Sequence, residues 1–265
     1  MKKKIFIVLT LVTLFFVPVF VSAESKQQSY DENNYEVIKK TTKYYKTVTY
    51  YDNVVTNEDG IIVRANKLNS VTTELTKEEY DNADISKPLE TRGSTTIETT
   101  YKEMLTSLTY SNGTYRYENQ LGWKLFPSVR SYDIIGIGHY GNVAPTGSPY
   151  FAMSYTTLSG SSYVSTWHMS QTFTYGSSAT FLLPLENLSS LNITYYFDVH
   201  KTNPNSTITS QAAFGDYSHG IDSSLTLSQA LDHYVNQNAG IVLSSSVYNK
   251  FDTINEAAVY WYGTW

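Results

Sequence analysis

The sequence predicts a mostly β protein, in which residues 94–265 form an antiparallel β-sandwich or jelly-roll-like domain with one short helix. Apolar and polar residues alternate strictly from Leu191 to His200, as in a strand with one buried face. Many similar short runs follow residue 100, separated by Gly, Pro, Asn and Ser. These runs are rich in valine, threonine and aromatic residues, which strands favour.

The first residues have the pattern of a secretory signal peptide. Three lysines precede the apolar run from Ile5 to Phe20, and small residues follow it as far as Ala23. The apolar run is shorter than the roughly 20 residues of a membrane-spanning helix, and it contains Pro18. We therefore expect cleavage after Ala23, a secreted or extracellular protein, and no transmembrane anchor.

The composition of the mature chain argues against several kinds of cross-link, metal site and partner. The sequence contains no cysteine, which excludes disulfides and thiolate metal sites. Removing the three signal lysines leaves 16 Lys and Arg against 24 Asp and Glu, a net charge of −8. Such a chain repels anionic polymers, so we expect no nucleic acid partner.

Charge divides the mature chain into two regions. Residues 24–103 carry 11 basic and 15 acidic residues, whereas residues 105–265 carry 5 and 9. We predict a smaller, more polar N-terminal region with its linker at 24–93, followed by the β-sandwich-like domain at 94–265. The first region is interpreted either as a small β/α module or as a propeptide cleaved near Arg92.

The N-terminal region has weak element signals. Strands are predicted between Tyr35 and Val55, where Val, Thr and Tyr are enriched. Asn57–Gly60 is predicted as a turn and Ile61–Val63 as a short strand. A capping box at Thr76–Glu79 predicts a brief helix that reaches Ala83. Residues 84–93 lack a core pattern and are predicted to be a linker.

The C-terminal region contains the stronger signals. Asn112-Gly113 lies between two β-rich runs, which predicts a hairpin. A second capping box, Thr226–Gln229, predicts a helix that includes Tyr234 and Val235 and is closed by Gly240. The closing run, from Ala257 to Trp265, alternates again. Further strands are predicted at 132–140, 150–157, 162–174, 179–183, 191–200, 207–214 and 241–245.

The motif Gly136 to Gly141 matches G-x-G-x-x-G, the fingerprint of dinucleotide-binding proteins. That fingerprint also needs a helix directly after the glycines. The residues that follow include Pro145, Gly147 and Pro149, which cannot form this helix. We therefore predict no cofactor and interpret the glycines as a bulge or a close strand crossing.

Catalytic and metal motifs are weak. None of the five histidines is paired at metal-ligand spacing, and no serine stands in a nucleophile elbow. Alternation places Asp198 and His200 on one face of the central strand. Asp216 and His219 could join them, which makes this group the weakest alternative for a metal or a general base. We predict no catalytic residue and no metal site.

Tyrosine is the compositional anomaly, with 24 residues beside 11 Phe and 4 Trp. A tyrosine ring combines an apolar face with a hydroxyl, so exposed tyrosines suit the recognition of hydrated polymers such as glycans. The polar faces of the predicted strands supply Tyr196, Tyr260 and Tyr262, and a Ser/Thr-rich run supplies Trp167. The alternative explanation is packing, because tyrosine is also a good strand residue.

These patterns predict a secreted, bacterial-type, non-catalytic protein that binds an extracellular or cell-surface component, such as glycan or cell wall. One alternative is a secreted hydrolase that uses carboxylate and histidine residues, because paired acids are recognised only in space. A second alternative is a β-type pore-forming or membrane-active toxin, with Ser162–Thr174 as the membrane strand.

Overall fold

Two packed antiparallel sheets and one hairpin make up the fold. The computed structural model describes residues 35–86, 88–237 and 240–265. The predicted signal peptide and its cleavage after Ala23 lie outside the described residues. The elements are β1 (Glu36–Thr56), β2 (Ile62–Leu75), α1 (Lys77–Asp81), β3 (Leu89–Arg92), β4 (Thr95–Ser111), β5 (Thr114–Leu125), β6 (Tyr132–His139), β7 (Val143–Thr157), β8 (Ser162–Ser165), β9 (Met169–Phe173), β10 (Gly176–Leu182), β11 (Leu188–Lys201), β12 (Ser210–Ser218), α2 (Leu227–Ala230), β13 (His233–Asn236), β14 (Gly240–Leu243), a 3-10 turn (Tyr248–Lys250) and β15 (Asn255–Tyr262).

The larger sheet contains eight strands within the described part of the chain. Their order is β2-β1-β4-β5-β11-β7-β8, and β3 pairs with β4 at one end. Strands β4 and β5 form the predicted hairpin, because Asn112 and Gly113 adopt the positive φ angles of 49° and 87° that a tight turn needs. The predicted central strand is β11, which lies between β5 and β7.

The smaller sheet has the order β15-β12-β6-β10-β9 and packs face to face on the larger one. Phe151 of β7 contacts Phe181 of β10, with ring centroids 4.9 Å apart. The Tyr195 hydroxyl of β11 donates a hydrogen bond to Ser177 Oγ of β10 at 2.6 Å. The antiparallel β-sandwich predicted from the sequence is therefore confirmed.

Strand β11 contributes a continuous row of side chains to the core between the sheets. Its apolar positions are each at most 2% exposed: Leu191, Ile193, Tyr195, Phe197 and Val199. They pack with residues of both sheets in one apolar cluster. The predicted buried face of this strand is confirmed.

The glycines of the G-x-G-x-x-G motif allow a close strand crossing, as predicted. Gly136 and Gly138 lie on β6, beneath the hairpin of β13 and β14. A Cβ atom on Gly138 would lie 2.8 Å from the Asn236 carbonyl oxygen and 3.0 Å from Gly240 Cα. A Cβ atom on Gly136 would lie 2.9 Å from the Ile241 side chain. Side chains at these positions would push the hairpin off the sheet.

Several element predictions were wrong in extent. The short strand predicted at Ile61–Val63 is β2, which continues to Leu75, and the segment 84–93, predicted as a linker, contains β3. The helix begins with the predicted capping box at Thr226 but ends at Ala230, and Val235 lies in β13, where it packs in a small apolar cluster with Ile134. Residues 162–174 form two strands instead of one. Strands β8 and β9 belong to different sheets, because the chain crosses from one layer to the other between Ser165 and Met169.

Residues of the predicted N-terminal region form part of the larger sheet. Strand β1 lies between β2 and β4, and its pairing with β4 runs from Glu36–Tyr110 to Asp52–Thr95. Helix α1 begins at the predicted capping box. The boundary at residue 93 and the propeptide hypothesis stay predictions. Among the described residues, none of the helices is long and apolar enough to span a membrane.

Candidate binding surface

The outer face of the larger sheet carries the polar residues of β11. Since Ile193, Tyr195 and Phe197 point into the core, the alternate positions of the strand point outward. Strands β5 and β7 flank β11, so their outward side chains lie beside these positions. The register pairs Tyr196 with Tyr150 of β7 and Asp198 with Arg116 of β5.

Four side chains on this face form a continuous stack, which we call the Arg116 stack: Tyr35, Arg116, Tyr196 and Tyr150. The Arg116 guanidinium carbon lies 4.1 Å from the Tyr35 ring centroid and 4.0 Å from that of Tyr196. Tyr150 continues the stack, since its ring lies 4.6 Å from Tyr196 at an interplanar angle of 19°. A cation between two ring faces is attracted to both.

Asp198 holds the Arg116 guanidinium in place within the stack. Arg116 Nε donates to Asp198 Oδ1 at 2.8 Å, and Arg116 Nη2 donates to the Tyr35 hydroxyl at 3.2 Å. The side chains of Arg116 and Asp198 are 11% and 29% exposed. Burial disfavours the guanidinium charge, but the hydrogen bond and charge of Asp198 outweigh burial and raise the pKa of Arg116. The stack is therefore an ordered feature of the surface.

Tyr196 keeps its proton at neutral pH. Burial raises the pKa of this hydroxyl, and the charge of Arg116 opposes the rise only in part. The group can therefore both donate and accept hydrogen bonds. Polar positions of the same face, Asn192, Thr194 and exposed Ser154, lie along β11 and β7 beside it. The surface thus combines ordered rings with neutral hydrogen-bonding groups and with the carboxyl group of Glu118, which lies opposite Tyr196 on β5.

Trp167 lies apart from the Arg116 stack, in the link between β8 and β9 at the edge of the sandwich. Its side chain is 51% exposed, and that of Tyr163 on β8 is 50% exposed. Tyr163 stacks on Tyr155 of β7, with ring centroids 5.2 Å apart. We call Trp167 and the Tyr163–Tyr155 pair the β8 edge, in which Trp167 and Tyr163 are exposed and Tyr155 is partly buried against the core.

Tyr260 and Tyr262 lie on β15, an edge strand of the smaller sheet. They are 45% and 79% exposed. Tyr260 contacts Phe214 of β12 edge to face at 5.8 Å. The four residues predicted to bind ligand therefore lie in three separate places, and their role in binding stays a prediction.

The structure does not bring together the four residues of the alternative metal site. Asp198 is bound by Arg116, and His200 Nδ1 lies 2.9 Å from Thr146 Oγ1. Asp216 and His219 are buried on the side of the smaller sheet, so they do not join the outer face. Within residues 35–86, 88–237 and 240–265, no group of three or more His, Asp and Glu residues is placed to hold a metal ion.

Sequence reasoning missed two groups of buried polar residues. The first is an Asp–His pair, in which His219 Nδ1 lies 2.9 Å from Asp133 Oδ1. Asp133 also accepts hydrogen bonds from Gly220 N at 3.0 Å and from the Tyr217 hydroxyl. The second is an ion pair between Lys102 and Asp252. The two members of each pair are far apart in the sequence, so no local motif could have revealed them.

Sequence reasoning also missed Arg116 and Tyr150. Arg116 occupies a polar position directly after the predicted Asn112-Gly113 turn, which was the available signal for an outward-facing side chain. Its contact with Tyr196 depends on the pairing of β5 with β11, across about 80 residues of sequence.

Comparisons with known proteins give limited information. No family model matches the sequence, and no curated protein gives a significant match. The collagen-binding domain of Erysipelothrix rhusiopathiae surface protein RspB is 7% identical, over 66% of this chain and 72% of that chain, with a TM-score of 0.27. A structure described as BspA_C_mut is 6% identical, over 82% and 83% of the two chains, with a TM-score of 0.28. Both TM-scores are too low to support an argument about this chain.

Proposed function

We propose that this protein is a non-catalytic extracellular binding protein, and that the outer face of its larger sheet binds a neutral glycan or cell-wall polymer. The observation that carries the proposal is the Arg116 stack. It orders Tyr196 and Tyr150 on a surface that also carries hydroxyls, amides and the Glu118 carboxyl group opposite Tyr196. The extracellular location rests on the predicted signal peptide.

The chemistry of the surface fits this ligand class. A neutral, hydrated polymer offers hydroxyl groups and apolar C–H faces, so it is held by rings and neutral hydrogen bonds more than by charge. The Arg116 charge is already paired with Asp198. The side chains are also held before binding, which reduces the entropy lost when a ligand orders them.

The β8 edge supplies a second aromatic contact for the same ligand class. Trp167 and Tyr163 are both about half exposed. They lie beyond β7, but Tyr163 pairs with Tyr155, which pairs with the core-facing Leu191. Tyr163 therefore projects from the face of the sheet opposite to the Arg116 stack, and the β8 edge is a separate alternative site.

A pull-down assay tests the proposal. The full chain is incubated with whole bacterial cells, isolated cell wall and insoluble polysaccharides, and the retained fraction is measured. We expect at least one material to retain the native protein, and Tyr196→Ala to reduce retention. Tyr248→Ala is the matched control, because Tyr248 is an exposed tyrosine on the 3-10 turn, away from both aromatic groups.

Circular dichroism of each variant separates lost binding from lost folding. If no material retains the native protein, the proposal fails. Equal retention of Tyr196→Ala and Tyr248→Ala would move the site away from the Arg116 stack, and a loss confined to Trp167→Ala would move it to the β8 edge. Release of soluble products that stops on changing Asp198 or His200 would replace the proposal by the hydrolase alternative.

A further inference from the structure

Lys102 and Asp252 form a fully buried pair in the interior of the sandwich. Lys102 Nζ lies 2.6 Å from Asp252 Oδ2, and both side chains are 1% exposed. Lys102 lies on β4 of the larger sheet, and Asp252 follows the 3-10 turn just before β15. The contact therefore joins residues that are 150 positions apart in the sequence.

The surroundings make a charged pair costly here. The Lys102 amine lies 5.1 Å from the ring centroids of Trp123 and Tyr217, which shield it from water. Two charges removed from water lose hydration that their mutual attraction only partly replaces. A reaction that converts the pair into a neutral group removes this cost.

The carboxyl group of Asp252 is held in one orientation. Its Oδ1 accepts a hydrogen bond from His219 N at 2.7 Å, and Ser218 Oγ lies 3.4 Å away. The Asp252 backbone N–H donates in return to the His219 carbonyl at 2.8 Å. Donors on Oδ1 polarise the carboxyl carbon and stabilise negative charge on that oxygen, as an oxyanion hole does.

We propose that Lys102 and Asp252 condense to form an intramolecular amide bond between Nζ and Cγ. The ammonium first transfers a proton to Oδ2 along their hydrogen bond, which leaves a neutral amine and a neutral carboxylic acid. The amine lone pair attacks Cγ, the N–C bond forms, and negative charge moves to Oδ1. The electron pair on Oδ1 then re-forms the C=O bond, and the Cγ–Oδ2 bond breaks. The departing hydroxyl takes a second proton from the nitrogen and leaves as water.

The condensation needs no reactant other than Lys102 and Asp252. An ammonium and a carboxylate contain the atoms of one amide and one water, and no group is oxidised or reduced. The geometry favours the attack, because a contact of 2.6 Å to Oδ2 brings the nitrogen near Cγ, and reacting atoms held about 3 to 3.5 Å apart react far faster than free groups. The bond would clamp the larger sheet to the segment before β15 in a chain without cysteine.

Peptide mapping by mass spectrometry tests the proposal. The full chain is unfolded in denaturant and digested with trypsin, which does not cleave after an acylated lysine. We expect one branched peptide in which residues 93–116 are joined to residues 251–265, at the summed mass of the two peptides less one water. Fragmentation should place the junction at Lys102 and Asp252.

Lys102→Arg is the control, because a guanidinium keeps the positive charge but does not condense with the carboxylate. It should give only linear peptides. If this variant does not fold, the map of the native chain decides alone. Only linear peptides from the native chain, with cleavage after Lys102, would overturn the proposal. A loss of water that fragmentation places at residues other than Lys102 and Asp252 would overturn it equally.

Discussion

Phe197 is a core residue of β11, as the alternation of this strand predicts. It is 1% exposed on β11, and it contacts the rings of Tyr117 and Tyr195 at centroid distances of 6.1 Å and 6.3 Å. Truncating it leaves a cavity between the sheets. We predict that Phe197→Ala lowers the free energy of unfolding by about 3 to 5 kcal/mol, measured by chemical denaturation.

Tyr262→Ala is the control for this truncation, because the Tyr262 side chain is 79% exposed. Its effect should stay within about 0.5 kcal/mol. A cost below about 1 kcal/mol for Phe197→Ala would mean that the core does not depend on this face of β11.

Asp216 makes stability depend on pH. Burial raises the pKa of this carboxyl well above its ordinary value, although the Ile241 N–H donates to it, and Glu256 on the paired strand raises the pKa further. The folded state therefore holds the proton longer than the unfolded state does. Stability falls as the pH rises from the unfolded pKa of about 3.9 to the raised folded value.

Asp216→Asn removes this titration. We predict that the native protein loses stability more steeply than the variant between about pH 4 and neutral pH, by up to about 1.4 kcal/mol per pH unit. Urea denaturation of both proteins across this range measures the difference. Parallel curves would show that Asp216 titrates alike in the folded and unfolded states.

At the scale of elements, the hairpin of β13 and β14 depends on the glycines of β6. A methyl group on Gly138 would contact the Asn236 carbonyl at 2.8 Å, and backbone atoms cannot move aside as a flexible side chain can. We predict that Gly138→Ala costs about 1 to 3 kcal/mol by chemical denaturation.

Gly122→Ala on β5 is the matched control for Gly138→Ala. Its new methyl group would lie 3.3 Å from the Asn192 Oδ1 atom, which can shift. The control should cost less than Gly138→Ala. Equal costs would indicate a general effect of replacing strand glycines, and they would contradict close packing of the hairpin on β6.

Much of the fold at this scale could be predicted from the sequence, because local rules determine it. Period-two alternation located β11 and its buried face, Asn112-Gly113 located a hairpin, and Thr76 and Thr226 located two helix starts. The end of α2 could not be predicted in the same way. Val235 lies in β13 because of its packing with Ile134, which is distant in the sequence.

The candidate site could be predicted only in part, for a similar reason. Alternation placed Tyr196 on the outer face, but neither the ring partner Tyr150 nor the cation Arg116 follows from local pattern. Strand order and register bring them together, and these depend on pairings between distant segments. Alternation alone likewise could not identify Arg116 as the partner of Asp198.

At the scale of the whole molecule, the interior and the outer face have different polar chemistry. The interior contains ionisable side chains in close pairs, Lys102 with Asp252 and His219 with Asp133. The outer face has the Arg116–Asp198 pair among rings, hydroxyls, amides and the Glu118 carboxyl group. This contrast is what we expect when buried groups fix the fold and an ordered surface is left for binding.

The dissociation constant for solubilised cell-wall glycan, measured by calorimetry on the full chain, tests the central claim most directly. Tyr196→Ala should raise the constant by about tenfold or more, equivalent to about 1.4 kcal/mol, because it removes the centre of the Arg116 stack. Tyr248→Ala should leave the constant unchanged. Equal constants for the native protein and both variants would contradict binding at the outer face of the larger sheet.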